Sequence, residues 1–533
     1  LMALIPVDTS GQLGIIKDTS PFQLPPNAWS DGNNVRLEHG AVLKSPGYDS
    51  VIETCPIAPY YITQLKAGTA EFWIVAGLTK IYAHNGTSWT DLTRTSGDYN
   101  ATAAENWTHT VIGGVLVMTN FVDDPQEWPL SSGIPSVSNK MQDLSNWPAS
   151  TECKSLRSFR SFLIGLNITK SSVPNSRVVK WSTEAPVNAV PVSWDENNAT
   201  LDAGEYSLED TKGAILDGLP LQDTFMIYKE DSVYAMTYVG TPFIFAFRQI
   251  SPTVGVLAKN CVTEFDGGHF IFGNGDIYIN DGQRLKSILP HKMRDYLFGY
   301  IDGDHYKKSF CVTDYNRSEV LACFPSADNT TGQVNKALVW NWNENTFSLR
   351  DLPDLGHIAY GTIEDESSLT TWASATPTWS TVSGTWSTSW DVVGNVLVFA
   401  SPINTKVYRD RVGYQADGVN MRSYIERTGY TMDEQNNPDQ STVKHIKAVW
   451  PKMRIDKNDS VDFYIGTQMS TEEAVSWEGP ISFNPDTQSK VSCRASGKLY
   501  GIRIESDNDS EWRLEGLSFE VQNAGRRGSR SYS

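Results

Sequence analysis

Hydrophobic residues in this chain come in short runs closed by turn residues. Phe72 to Gly77 is one such run, Lys80 to Ala83 follows, and His84-Asn85-Gly86 turns the chain towards Trp89 and Leu92. An Asn-Gly step between alternating or continuous apolar runs predicts a β-hairpin. The pattern recurs at Val111 to Met118 and at Phe162 to Leu166. Thr224 to Lys229 pairs with Ser232 to Met236, and His269 to Phe272 with Asp276 to Ile279 across Gly273-Asn274-Gly275. Ala337 to Trp342 leads through Asn343-Glu344-Asn345 into Thr346 to Leu349. These units of two to four strands recur every ~40–60 residues, the spacing of β-propeller blades. Each has apolar faces that it cannot bury alone and that radial stacking would bury. A stacked sandwich is the alternative.

The expected fold is all-β: a propeller-like body, a C-terminal antiparallel β-sandwich-like domain and an extended N-terminal arm. The arm covers 1–48, because Gly11 to Tyr48 is strand-poor and rich in Pro and Asn. The body covers 49–360, and 401–440 returns to it. Between them, 361–400 is a Trp-rich Ser/Thr loop or hairpin. The C-terminal domain spans 441–524, with strands at Lys444 to Met453, Val461 to Gly466, Tyr500 to Ile504 and Leu514 to Val521, and a turn at Trp477-Glu478-Gly479-Pro480. A basic Gly/Ser-rich tail, 525–533, closes the chain. Pro290 to Tyr300, opened by its proline, is the best helix.

Composition narrows the function. A hydrophobic fraction of 40% and 17 Trp suffice for large cores. A net charge of -18 repels a nucleic-acid backbone, so tight DNA binding is not expected; an acidic wall would let DNA slide past. Cys55, Cys153, Cys261, Cys311, Cys323 and Cys493 form no CxxC pair and are expected to be free, buried thiols, as suits a reducing cytoplasm. No signal peptide and no membrane span are legible.

Candidate chemistry is sparse. No GxSxG, HExxH or Walker pattern occurs. His269 beside Asp266 could act as a base, though a turn-capping role is the simpler reading. Asp302, Asp304 and His305 could hold a cation but read better as solvated turn residues. Asp507, Asp509 and Glu511 match three calcium-loop positions, but Trp512 stands where that loop needs glycine. No catalytic residue, metal or cofactor is expected, and the chain reads as a non-enzyme.

Several phrases, taken together, resemble a known family. They are Leu24-Pro25-Pro26-Asn27-Ala28-Trp29-Ser30-Asp31-Gly32-Asn33-Asn34-Val35-Arg36 with Gly40 to Gly47, then Trp107 through Asp124-Pro125-Gln126-Glu127-Trp128. Val179-Lys180-Trp181-Ser182 follows with Pro191 and Trp194. Last come Asp231 to Met236 with Tyr238 to Pro242, Gly255, and Asp276 to Gly282. Their order and spacing over about residues 14 to 300 resemble the tail nozzle proteins of short-tailed bacteriophages, also called packaged-DNA stabilisation or tail tubular proteins.

The resemblance implies a homohexameric ring beneath the portal and adaptor, with tail fibre or spike proteins as further partners. Double-stranded DNA would pass through its lumen without sequence-specific binding, and the ring would retain the genome until ejection. The location implied is the virion tail, assembled in the host bacterial cytoplasm. Large aromatics dominate interface energetics, so Trp29, Trp372, Trp379, Trp386 and Trp390 are the candidate interface residues. Arg526, Arg527 and Arg530 are candidate DNA or partner contacts. The competing readings are a receptor- or carbohydrate-binding tail protein and a propeller glycosidase, which needs two carboxylates ~5–9.5 Å apart.

Overall fold

The computed structural model describes residues 2–8, 10–50, 52–67, 70–289, 292–363, 394–431, 442–456 and 459–523. Its larger part is a β-propeller of seven blades. Six are four-stranded antiparallel sheets in simple chain order, with inner strands at Tyr61–Ala67, Thr108–Ile112, Thr151–Phe159, Ile215–Leu221, Val262–Phe265 and Phe310–Asp314. The seventh is built from both directions of the chain. Its first three strands are His357–Gly361, Val396–Ser401 and Lys406–Asp410, and the fourth is Tyr48–Ser50, which pairs Tyr408 with Ser50 and Asp410 with Tyr48. This strand from the N-terminal region closes the blade ring.

Second strands of the blades are buried on both faces because neighbouring blades cover each side. Val115–Thr119, Glu319–Phe324 and Val396–Ser401 are buried throughout, which is why they read as continuous apolar runs rather than alternations. The Gly113-Gly114 turn, both residues at positive φ, joins the two strands within Val111 to Met118.

The sandwich also draws on both ends of the chain. One sheet joins Met2–Asp8, Val35–Glu38 and Ala41–Lys44 to Lys444–Ile455, Val491–Gly497 and Trp512–Asn523. The other joins Asp31–Asn33 to Ser423–Tyr430, Val461–Gln468, Ser476–Phe483 and Leu499–Ser506. The expected N-terminal arm is thus corrected: its path is extended, but four stretches of it are strands within these sheets. They are three to seven residues long, most too short to display a period; Val35–Glu38 pairs with the adjacent Ala41–Lys44, and the other three are drawn in by strands beyond residue 420. The C-terminal unit likewise begins at Ser423, inside the segment assigned to the body. Trp477 to Pro480 is strand rather than turn; it lies on a sheet edge, where proline's missing N–H costs no ladder bond. The helix is shorter than expected, Arg294–Tyr300.

One apolar core runs without a break from the sandwich into blades four to six, through Ile15, Trp29, Leu37, Phe347 and Leu349. Polar contacts reinforce the junction. Arg36 binds Glu319 at 2.8 Å, and both Asn33 and Asn34 donate to Asp351 Oδ2, at 2.7 and 2.8 Å. The phrase Leu24 to Arg36 is therefore the joint between the two modules.

Gly47, at the end of the stretch Gly40 to Gly47, has a backbone reason to be glycine. A Cβ there would lie 1.9 Å from Gln415 O, and one at Gly255 would lie 1.9 Å from Glu230 O. Gly47→Ala must displace the backbone of the closing blade. It is expected to lower stability by about 1–3 kcal/mol, measured by chemical denaturation, with Gly303→Ala, where a Cβ meets nothing within 4 Å, as the neutral control.

Candidate functional site

The inner strands converge on the propeller axis, where their side chains form one polar network. Asp217, fully buried in blade four, accepts Arg157 Nε at 2.9 Å and Arg157 Nη2 at 2.7 Å, Ser155 Oγ at 2.7 Å and the amides of Gly218 and Asn260. Arg157 also donates to His109 O at 3.2 Å and to Asn260 Oδ1 at 3.0 Å. His109 meets Tyr61 OH at 2.8 Å through Nδ1 and Thr63 Oγ1 at 2.9 Å through Nε2. Tyr61 stacks on His357, centroids 4.1 Å apart, and His357 Nδ1 lies 3.1 Å from Ile62 O. The pair Tyr61–His109 links blades one and two, Ser155–Asp217 links three and four, and His357–Ile62 joins seven to one.

Electrostatics follow from that enclosure. Burial would push the Asp217 carboxyl up, but Arg157, Ser155 and the Gly218 amide hold it below the ordinary carboxylate range. Desolvation, with the Arg157 charge adding to it, lowers His109 to about 3. Desolvation and the neighbouring His109 lower His357 to about 3. At one mouth of the axis, burial lowers Lys259 to about 8 against the pull of Glu105, which pairs with Lys154 at 2.8 Å.

The network resembles catalytic chemistry in its residue types, yet its groups already serve one another. Both nitrogens of His109 are engaged, and the guanidinium and carboxylate neutralise each other. It ties the inner strands of neighbouring blades together.

The same holds for His269. It is fully buried, with Nδ1 2.6 Å from Tyr228 OH and Nε2 3.0 Å from Pro220 O, and desolvation lowers it to about 4. It does not cap the turn suggested by its sequence neighbours; it bridges blades four and five.

These three histidines set an acid limit on stability. Each is neutral when folded and titrates near 6.5 when unfolded, so its contribution is complete above pH 6.5 and is lost as pH falls towards 3–4. Three such groups give a slope of up to about 4 kcal/mol per pH unit below pH 6. Denaturation at pH 7, 5.5 and 4.5 should show it, and His269→Gln should reduce the slope by about a third.

Other sequence candidates fall in several places. Trp29 is buried, 2% exposed, and donates to Ser10 O. The interface role expected for it is corrected: its ring lies in the core where sandwich meets propeller. Trp372, Trp379, Trp386 and Trp390, and Arg526, Arg527 and Arg530, lie outside the described residues. The end of the expected Trp-rich loop, Val396–Ser401, is a buried strand of blade seven. Asp302 accepts His305 Nδ1 at 2.6 Å and the Asp304 amide at 2.8 Å, a self-contained turn. Asp509 accepts the Tyr414 amide at 3.0 Å. Among the described residues, no three His, Cys, Asp or Glu side chains are grouped to hold a metal. The six cysteines are buried and unpaired, as expected, with burial raising Cys55 to about 11 and Cys153 to about 12.

A second feature went unread in the sequence. An open cleft of about 610 Å³ lies where turns of blades four, five and six meet, lined by Gln222, Glu264, Asp266, Tyr315, Trp342 and Asn343 among others. They come from four separate hairpins, at turns or strand ends, so no local motif marks the cleft.

No family model matches the chain, and no curated protein does. Among solved structures it is similar to PorZ, a surface component of the type-IX secretion system of Porphyromonas gingivalis. The identity is 9% and the TM-score 0.35, over 75% of this chain and 44% of that one. It is also similar to the extracellular domain of BT4673 from B. thetaiotaomicron, at 8% identity and TM-score 0.37, covering 85% of this chain and 47% of that one. The AfRom2 CNH domain matches at 9% identity and TM-score 0.33, over 61% of this chain and 96% of that one. The chain thus spans less than half the length of the first two. The propeller assignment rests on the blade sheets themselves. No helix among the described residues is long and apolar enough to cross a membrane.

Proposed function

We propose that this chain is a structural, non-catalytic ring subunit of the tail nozzle of a short-tailed bacteriophage. It assembles as a homohexamer below the adaptor and portal, meets tail fibre or spike proteins, and surrounds the DNA it retains and releases. The observation that carries this reading is the polar network that knits the inner strands together around the axis. A propeller whose inner strands are held this closely by a polar network has no duplex-wide bore of its own, so in this reading the lumen for DNA forms between copies. Heterologous contacts that close by rotation build such a ring.

Two features support a mechanical role. The continuous core through Trp29 and Phe347, with the Arg36–Glu319 pair beside it, couples sandwich and propeller into one stiff body. The phrases that resemble the nozzle family, Leu24 to Arg36 and Gly40 to Gly47, form that joint and the approach to the closing strand. A net charge of -18 lets duplex DNA pass with little adhesion.

Electron microscopy and native mass spectrometry of the purified chain, alone and with its adaptor, test the proposal. The expected result is a closed six-fold ring with a pore wide enough for duplex DNA. A trimeric spike, or a monomer that depolymerises polysaccharide, would replace it with the receptor-binding or glycosidase reading.

A further inference from the structure

Two blades carry a long outer strand. The fourth strands of blades one, two, three, five and seven are two to four residues long, which leaves little sheet edge to pair. Blade six ends in the ten-residue strand Thr346–Leu355, and the chain covers it itself. Ile15 N donates to Phe347 O at 3.3 Å, Asn34 N to Leu349 O at 2.9 Å, and Asp351 N to Asn34 Oδ1 at 2.8 Å. Blade four ends in Ile244–Ser251, eight residues, and no further strand pairs with it among the described residues. Nothing described outside the blade hydrogen-bonds to the main chain of Phe245 to Ile250. Such an edge presents alternate N–H and C=O groups to any strand that can align with them.

Free edges in folded proteins are guarded by charge, proline or brevity, and this one is not. Arg248 is the strand's sole charged residue, and no proline lies between Ile244 and Ser251. Ser232 to Phe247 runs for sixteen residues without a charge in a chain that is 20% charged, so the whole hairpin is depleted. Its tip exposes Val239 by 53% and Phe243 by 76%. Beside it, Tyr206 from the outer strand of blade three stacks on Phe247, centroids 4.6 Å apart and planes 8° apart, and the Tyr206 side chain is half exposed. An aromatic, charge-poor rim thus borders the open ladder.

We propose that the outer edge of blade four is the docking surface for a second copy of this chain, which adds a strand to the blade. The inference rests on the ring reading, in which copies meet through unlike surfaces. Charge selects the place. Each copy carries -18, so copies repel one another over most of their surface. Contact costs least at a charge-poor edge whose one charge is positive. A nucleic acid or an anionic membrane would need a cluster of basic side chains there, and the strand offers Arg248 alone. Main-chain pairing along Phe245 to Ile250 supplies affinity, and the Phe243 and Tyr206 rings supply apolar anchors beside it. Blade six shows the same need met within the chain: its long edge is covered by Ile15 and Asn34.

Native mass spectrometry and hydrogen exchange of the full chain test this together. The parent is expected to assemble, and the outward amides of Phe245 to Ile250 to exchange roughly tenfold more slowly in the assembly than in the dilute monomer. Phe243→Glu/Ala246→Lys, at two exposed positions, should weaken assembly about a hundredfold and leave the denaturation midpoint of the monomer unchanged. If the parent forms the ring and the double variant forms it equally well, the edge is not the contact, and the ring reading stands without it. Edge amides that exchange at the same rate in ring and monomer overturn strand addition in the same way, whatever the variant does. If the parent stays monomeric alone and with its adaptor, the ring reading and this inference fall together. Slowed edge amides in that last case would assign the edge to the adaptor instead of a second copy.

Discussion

A chain lacking residues 1–50 is expected to have no cooperative unfolding transition at all. The deletion removes the fourth strand of blade seven, three strands of one sandwich sheet and one of the other. Tyr48, whose ring meets Phe399 at 5.8 Å and Tyr408 at 5.3 Å, would leave a buried aromatic cluster open to water. Loss of Arg36 would leave Glu319 buried without its partner. An open blade edge also offers unpaired N–H and C=O groups to other chains, so aggregation is expected. Tyr48→Ala isolates the closing strand: it should cost about 3–5 kcal/mol, in the range of large aromatic truncations. Near-native circular dichroism and a sharp denaturation curve for the deletion would show that neither module needs the N-terminal strands.

Breaking the axial ion pair should have the second largest effect. Arg157→Ala strands a fully buried carboxylate, and Asp217→Ala strands a guanidinium; each is expected to cost roughly 3–5 kcal/mol. Replacing both, as Arg157→Met with Asp217→Leu, should recover most of that loss, because no charge is then left unpaired. Denaturation of the four proteins makes the comparison. Single variants within about 1 kcal/mol of the parent would mean that water at the axis solvates either charge, and the pair would not be what ties those blades together.

The hairpins were legible because they are local. Asn85-Gly86, Gly273-Asn274-Gly275 and Asn343-Glu344-Asn345 lie between apolar runs, and each run finds its partner within about ten residues. The pairings of Phe225 with Met236 and of Trp340 with Phe347 follow from that proximity. By contrast, Asp31–Asn33 and Tyr48–Ser50 are three residues long and pair with strands beyond residue 400. Nothing within such a segment records its partner, so proline- and asparagine-rich chain reads as an arm. Trp29 was misplaced for a related reason: an aromatic in a polar phrase looks available for an interface until the opposite wall of the core is known.

The candidate site divides the same way. His269 was noticed beside Asp266 and glycines, but its burial and its contact with Tyr228 depend on blade four lying against blade five. The axial network and the open cleft each take residues from three or more blades, none of them distinctive in its own stretch.

By itself, then, the sequence determined which neighbouring runs pair as hairpins, the all-β class and the acidic character, because side-chain patterning and turn chemistry act over a few residues. Only the tertiary structure decided the number of blades, the strand that closes them, the shared sandwich and the pairing of buried charges. Those depend on which surfaces meet after the chain has folded back across hundreds of residues, and loop-closure entropy is nearly blind to that distance. The choice of partner is made by complementary burial, not by neighbourhood.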